Sequence, residues 1–133
     1  MRTSDFDSKT TIRGKVPRIP FMEMKREVLG SQHELSLVLC GDKLSRTINK
    51  KYRNKTYAAN VLSFPLNTYE GEMFLNIRAA EREAKKYAMS LAARLALLYV
   101  HGLFHLKGFD HGTKMEKREP QVLKKFGFSP LSP

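Results

Sequence analysis

One apolar stretch, LAARLALLYVHGLFHL at residues 91–106, constrains the fold of this chain more than any other feature. Ser90 before it has a hydroxyl that can accept a hydrogen bond at a helix N-cap, and Gly108 after it suits the left-handed conformation in which helices commonly end. The stretch is interrupted by charged and imidazole side chains and is too short to cross a bilayer comfortably. These signals predict a helix over residues 91–106 that is buried in the core of a globular domain.

The rest of the chain shows both strand and helix patterns. We predict strands at TTIRGKV, ELSLVLC, VLSFP and EMFLNI, where β-branched and aromatic residues cluster or alternate. We predict helices for PFMEMKREVL, for about residues 43–52 with Asp42 as the cap, for about residues 78–88 and for about residues 114–126. This order of elements indicates a single α+β domain over residues 1–133, with a small mixed β-sheet packed by helices.

The composition is that of one globular domain with a strongly basic surface. The 133 residues include 24 Lys and Arg against 13 Asp and Glu, a formal charge of +11, which favours phosphate backbones or other anionic partners. A basic surface without a partner is an equal alternative from charge alone. Because Cys40 is the single cysteine, a disulfide framework and a thiolate zinc site are excluded. The polar N-terminus shows no signal peptide, so we expect a cytoplasmic protein that is not bound to a membrane.

Three of the four histidines lie in HGLFHLKGFDH, residues 101–111. His101 and His105 are four residues apart on the predicted helix, so both imidazoles project from one face. Gly108 can end that helix so that the chain reverses and His111 returns toward the same point. Three imidazoles leave one tetrahedral position open, which is the arrangement of a catalytic zinc site. We therefore predict one Zn²⁺ bound by His101, His105 and His111, with nickel or another first-row ion as the alternative, since imidazole binds several of them.

The spacing matches the metalloprotease motif H-E-x-x-H-x-x-G-x-x-H at every position but one. Gly102 stands where such proteases carry the glutamate that acts as general base, so peptide hydrolysis by that mechanism is not expected. Asp110 is not spaced as an obvious ligand, and it either orients a ligand histidine or caps the loop. His33, outside the motif, is expected to be an ordinary core or surface residue.

The histidine stretch resembles the H-G-x-x-H-L-x-G-y-D-H signature of the YbeY-type endoribonucleases, the bacterial metal-dependent rRNA maturation factors. INKKYRNKTYAANVLSFP is similar to the family's L-N-x-x-Y-R … T-D-V-L-S-F-P segment, GEMFLNI to its G-D-I-x-I-S strand, and MEKREPQVLKKFG to its closing M-x-x-x-E-x-x-x-L-x-x-x-G helix. The resemblance covers about residues 34–127 and is weak over residues 1–33. It implies a zinc-dependent endoribonuclease for single-stranded RNA, acting in 16S rRNA maturation and ribosome quality control on a zincin-like scaffold.

Carried over residue by residue, the resemblance implies metal ligands at His101, His105 and His111 and catalytic roles for Arg53 and His101. An arginine can hold a phosphodiester and stabilise the charge that develops on its oxygens. Without the resemblance, Arg53 would be interpreted as a solvated charge in a basic loop.

The chain departs from the family pattern at two acidic positions. The family's aspartate before V-L-S-F-P is Asn60 here, which keeps hydrogen bonding but loses a charge, and the acid after Gly71 is Glu72 rather than aspartate. We expect Asn60 to influence the site by hydrogen bonding rather than as a ligand.

The expected partners are rRNA and the small ribosomal subunit, and the oligomeric state is left open. Two alternatives remain: a non-catalytic, zinc-containing ribosome-assembly factor that binds RNA, and a metal-dependent hydrolase of another anionic substrate.

Overall fold

The structure, a computed structural model, describes residues 5–108 and 113–128. The elements in this part of the chain are, in order, β1 (Phe6–Thr10), α1 (Phe21–Leu29), β2 (Glu34–Cys40), α2 (Asp42–Arg53), β3 (Val61–Asn67), β4 (Glu70–Asn76), α3 (Ile77–Lys86), α4 (Leu91–Lys107) and α5 (Thr113–Lys125). Their arrangement confirms the predicted single-domain α+β class.

The four strands form one mixed sheet in the order β1-β2-β4-β3. β1 is parallel to β2, β2 is parallel to β4, and β3 is antiparallel to β4. A short turn after Asn67 joins β3 to β4. The central strands β2 and β4 are therefore buried on both faces, whereas β1 and β3 lie at the edges.

Alternate residues of β2 and β4 point to opposite faces of the sheet. Leu37 and Met73 join the larger core cluster, which is completed by apolar residues of α1, α3, α4 and α5. Val38 and Phe74 belong to a smaller cluster, against which α2 packs. One helix thus covers one face of the sheet, and four helices cover the other.

α4 is the central helix of the larger layer, where it contacts α1, α3, α5, β3 and β4. Ser90 caps it by accepting a hydrogen bond from the backbone nitrogen of Ala93 at 3.1 Å, and Gly108 ends it with a φ of 99°. The predicted cap, burial and end of this helix are confirmed. Within the described ranges no single helix is long and apolar enough to cross a membrane; α3 and α4 meet the criteria of length and composition only together, bent by 118°.

The prediction of a first strand at TTIRGKV is wrong, because β1 covers the mostly polar stretch FDSKT instead. β1 exists because it pairs with β2, with Phe6 opposite Leu35, and as an edge strand it needs few apolar side chains. Ile12, which had suggested the strand, packs on the larger core cluster from irregular backbone.

The prediction that Asp42 caps α2 is also wrong. Gly41 is the N-cap, and Asp42 is the first residue of the helix. Its carboxylate accepts hydrogen bonds from Arg82 at 2.8 and 2.9 Å and from the side chain of Asn76 at 2.9 Å. Asp42 therefore joins α2 to α3 instead of satisfying the backbone of its own helix.

A buried ion pair fastens the start of the described chain to α1. The carboxylate of Asp5 accepts hydrogen bonds from Lys25 at 2.8 Å and from Arg26 at 2.7 and 2.8 Å. Lys25 is fully buried. The hydrogen bonds from Arg26 and Lys25 hold the pKa of the Asp5 carboxyl well below its usual range.

Candidate active site

The two histidines of α4 lie side by side, half-buried, on one face of the helix. Their ring centroids are 4.6 Å apart with an interplanar angle of 79°, and their Nε2 atoms are 3.0 Å apart. The helical spacing of four residues brings the rings together, and the capped, buried position of α4 fixes the backbone that carries them. The sequence prediction that His101 and His105 share a face is confirmed by this geometry.

Glu119 of α5 orients one of the two imidazoles. Its Oε1 lies 2.7 Å from Nδ1 of His101, and the side chains of Glu119 and His101 are only 15% and 27% exposed. A carboxylate at Nδ1 favours the tautomer in which Nδ1 carries the proton and Nε2 presents a lone pair. His101 therefore directs Nε2 toward His105, which is the orientation that a metal ligand requires.

The donor set of this pair fits a zinc ion. Two nitrogens bound to zinc at about 2.0–2.1 Å in tetrahedral geometry lie about 3.3–3.4 Å apart. The observed separation of 3.0 Å between the Nε2 atoms is close to that span. A carboxylate on the far nitrogen of a ligand histidine is also the usual arrangement around a bound metal.

The predicted third ligand, His111, and the predicted orienting residue, Asp110, lie outside the described residues. Within residues 5–108 and 113–128, no group of three or more His, Cys, Asp or Glu side chains is arranged to hold a metal ion. The described part of the site thus contributes two imidazoles, His101 and His105. Binding of the metal by all three histidines stays a prediction.

Gly102 lies where α4 packs closely against β3 and β4. A Cβ atom at this position would lie 2.8 Å from Cε of Met73 and 2.9 Å from Oγ of Ser63. The Ser63 hydroxyl also donates a hydrogen bond to the carbonyl of Gly102 at 3.1 Å. Because the side chains of Met73 and Ser63 occupy this space, the glutamate that metalloproteases carry at this place in the motif would require both of them to shift.

Arg53, Asn60, His101 and His105 all line one cleft, with a volume of about 890 Å³. Arg53 is the last residue of α2; it is exposed, and its side chain forms no ion pair with any residue in the described ranges. Its guanidinium is therefore available to an anionic ligand of the cleft. The structure brings these four predicted site residues together from α2, the following loop and α4, while His33 is buried and does not line the cleft.

Three buried polar side chains support the loop at residues 54–60, which borders the cleft. Ser45 donates to the carbonyl of Ala59 at 2.6 Å, and Asn76 donates to the same carbonyl at 3.2 Å. Asn49 donates to the carbonyl of Tyr57 at 2.9 Å. These hydrogen bonds hold the backbone of the loop in place, although its sequence, NKTYAAN, looks like an ordinary polar connection.

Glu83 of α3 lies beside Asn60 in the wall of the cleft. The amide of Asn60 donates to the two carboxylate oxygens of Glu83 at 3.2 and 3.4 Å, and Nε of Arg94 donates to Glu83 at 2.9 Å. Position 60 lacks the family's aspartate, but the carboxylate of Glu83 from α3 borders the cleft next to it. Neither Glu83 nor Glu119 was predicted from the sequence. Glu119 occupies the acidic position of the closing-helix motif, which is the one signal that could have identified it.

Comparison with known proteins places these features in a family. A sequence model described as Endoribonuclease YbeY matches residues 3–127, a range that includes the N-terminal segment over which the motifs are weak. Endoribonuclease YbeY of Helicobacter pylori strain J99 is 37% identical over 118 residues, which cover 84% of this chain and 83% of that protein. Endoribonuclease YbeY of Verminephrobacter eiseniae is 34% identical over 134 residues, covering 93% of this chain and 86% of that protein.

A third relative and a solved structure are also similar. Endoribonuclease YbeY of Mycoplasma mycoides is 36% identical over 107 residues, 68% of this chain, and the match spans just under two thirds of that protein, 65%. The solution structure of TM1509 from Thermotoga maritima has a TM-score of 0.63 with 20% identity, covering 80% of this chain and 78% of that one. The structural likeness supports the α+β fold alone, and the zincin-like character of the scaffold stays a prediction.

Proposed function

The chain belongs to the endoribonuclease YbeY family, and we propose that it is a zinc-dependent endoribonuclease that cleaves single-stranded RNA. We propose 16S rRNA maturation and ribosome quality control as its role, the small ribosomal subunit as its partner and the cytoplasm as its location. The observation that carries the proposal is the imidazole pair of α4, oriented by Glu119, in a cleft that also contains Arg53.

His101 and His105 would hold the zinc ion through Nε2, together with His111. When bound, zinc supplies a Lewis acid that polarises a phosphoryl oxygen or a water molecule. Glu119 keeps the proton on Nδ1 of His101 and so keeps Nε2 available. Arg53 binds the phosphate and stabilises the negative charge that develops on it during cleavage.

The basic surface supplies affinity for the RNA backbone. With a formal charge of +11, the chain attracts polyanions, and binding weakens as salt rises because bound counterions are released. The group that attacks the phosphate is either water or the neighbouring 2′-hydroxyl, and the ends of the products distinguish the two. Products with a 3′-hydroxyl would indicate attack by water, and a 2′,3′-cyclic phosphate would indicate attack by the 2′-hydroxyl.

The test is cleavage of a labelled single-stranded RNA by the purified chain, with and without a chelator. We expect cleavage to be lost on complete metal removal and in His105→Ala, and to survive in His33→Gln, which changes a histidine outside the cleft. Circular dichroism verifies that each variant is folded. Undiminished cleavage after metal removal, or in folded His105→Ala, would contradict the proposal.

A non-catalytic RNA-binding assembly factor is the second candidate, because the formal charge of +11 would by itself account for RNA binding. In that case zinc is structural, RNA is bound tightly without turnover, and removal of the metal abolishes cooperative unfolding. The same cleavage assay, combined with an RNA-binding measurement, separates the two candidates.

A further inference from the structure

Two large aromatic side chains are exposed in the wall of the cleft. Tyr52 is 60% exposed and Tyr57 is 59% exposed, and both line the cleft together with His101 and His105. Aromatic rings contribute strongly to stability when they are buried, so exposed rings beside a candidate active site suggest that a ligand covers them.

Both tyrosines are held in place by the folded structure. The ring of Tyr52 lies 5.6 Å from that of Phe64, which in turn lies 6.1 Å from the ring of Phe74 in the smaller core cluster. The backbone of Tyr57 is held by the hydrogen bond from the buried amide of Asn49. A ligand that stacks on these rings therefore loses little free energy in ordering the backbone that carries them.

The charge around the two rings selects the kind of ligand. The segment KKYRNKTY, residues 50–57, contains four cationic side chains and no acidic one. Nζ of Lys51 lies 5.2 Å from the centroid of the Tyr52 ring. Aromatic platforms interleaved with cations are the arrangement by which proteins bind single-stranded nucleic acid, since bases stack on the rings while cations follow the phosphates.

We propose that Tyr52 and Tyr57 form a nucleobase-binding subsite, in which a base of single-stranded RNA stacks beside the phosphate bound by Arg53. The inference rests on the proposed function and adds a reason for its strand selectivity. A base in a duplex is already stacked on its neighbours, whereas an unpaired base can turn onto a tyrosine ring. Because every base has a π-face, the subsite tolerates many sequences.

The experiment measures binding rather than cleavage. The full-length chain is titrated into a fluorescein-labelled decamer of 2′-O-methyl adenylate, and anisotropy gives the dissociation constant. A decamer of the same phosphates without bases is titrated in parallel. We expect the abasic decamer to bind more weakly at the same salt concentration, and Tyr52→Ala to weaken binding of the adenylate decamer by roughly 5- to 150-fold.

Matched variants distinguish stacking from other effects. Tyr52→Phe keeps the ring and should bind almost as the wild type does. Tyr69→Ala removes a tyrosine that is 62% exposed but does not line the cleft, so it should bind normally. Tyr52→Ala should leave the salt dependence of binding unchanged, because it removes no phosphate contact.

Equal affinity for the two decamers, or unchanged affinity in folded Tyr52→Ala and Tyr57→Ala, would overturn the subsite. Base-dependent binding by a chain that cleaves no RNA would support the subsite and refute the proposed endoribonuclease activity. Cleavage of RNA by a chain that binds both decamers equally would support the endoribonuclease activity and refute the subsite.

Discussion

Replacing Glu119 with glutamine removes the negative charge beside the Nδ1 atom of His101 while preserving the shape of the side chain. In the folded chain the two groups are 2.7 Å apart, and both side chains are largely buried, so solvent screens their interaction only weakly. The hydrogen bond between Glu119 and His101 strengthens when His101 binds a cation, because the added positive charge polarises the Nδ1–H bond. We therefore predict that Glu119→Gln weakens metal binding.

The size of the effect follows from the position of Glu119 relative to the metal ligand. Losing such a hydrogen-bond partner of a ligand histidine lowers metal affinity by about 10- to 100-fold, equivalent to about 1.4–2.7 kcal/mol. Glutamine can still accept the proton of Nδ1, so Glu119→Gln belongs at the lower end of this range. Glu119→Ala leaves Nδ1 of His101 without this partner and belongs at the upper end.

The assay is competition for zinc between the chain and a chromophoric chelator of known affinity. Glu27→Gln is the matched control, because Glu27 accepts a hydrogen bond from Lys125 at 2.5 Å and so joins α1 to α5 without touching the histidines. We expect this control to bind zinc as the wild type does. Unchanged affinity in folded Glu119→Ala, or an equal loss in Glu27→Gln, would refute the argument that Glu119 acts on His101.

Three further predictions concern stability. Gly102→Ala should lower the free energy of unfolding by about 1 kcal/mol, since overpacking costs about 1–3 kcal/mol and the higher helix propensity of alanine restores about 1 kcal/mol. Urea denaturation measures this change, and a variant more stable than the wild type would show that the position has room for a methyl group. Asp5→Ala should lower the free energy of unfolding by about 3 kcal/mol, because the fully buried Lys25 loses its partner. Adding Lys25→Met should recover most of this lost stability. Equal losses of stability in the single and double variants would contradict the prediction. The hydrogen bond from Arg82 lowers the pKa of Asp42 from 3.8 to about 2, so the stabilisation of the fold by ionised Asp42 is present above about pH 4 and is lost as the pH falls toward about 2. In Asp42→Asn, the free energy of unfolding should therefore decrease less between about pH 4 and about pH 2 than in the wild type. An identical decrease in the two proteins would argue against this role of Asp42.

Some features that depend on nearby residues could be predicted from the sequence, although the cap of α2 could not. α4 could be predicted, because the hydroxyl of Ser90, the apolar run and the glycine at position 108 act within the helix or next to it. The same locality explains why the shared face of His101 and His105 could be predicted from their spacing alone.

Features that depend on distant partners could not be predicted in this way. β1 is a strand because β2 pairs with it, and its own polar sequence gives little indication of that. Glu119 reaches His101 because α5 packs against α4, and a separation of 18 residues along the chain carries no such information. The reason for Gly102 is likewise visible only where Met73 approaches it from the sheet.

The proposed function depends most on the binding of a metal ion by the histidines of α4. Elemental analysis of freshly purified protein, in parallel with His105→Ala prepared identically, tests it directly. We predict one zinc ion per chain in the wild type and far less than one in the variant. A wild-type chain without bound metal, or a folded variant with undiminished metal content, would contradict it.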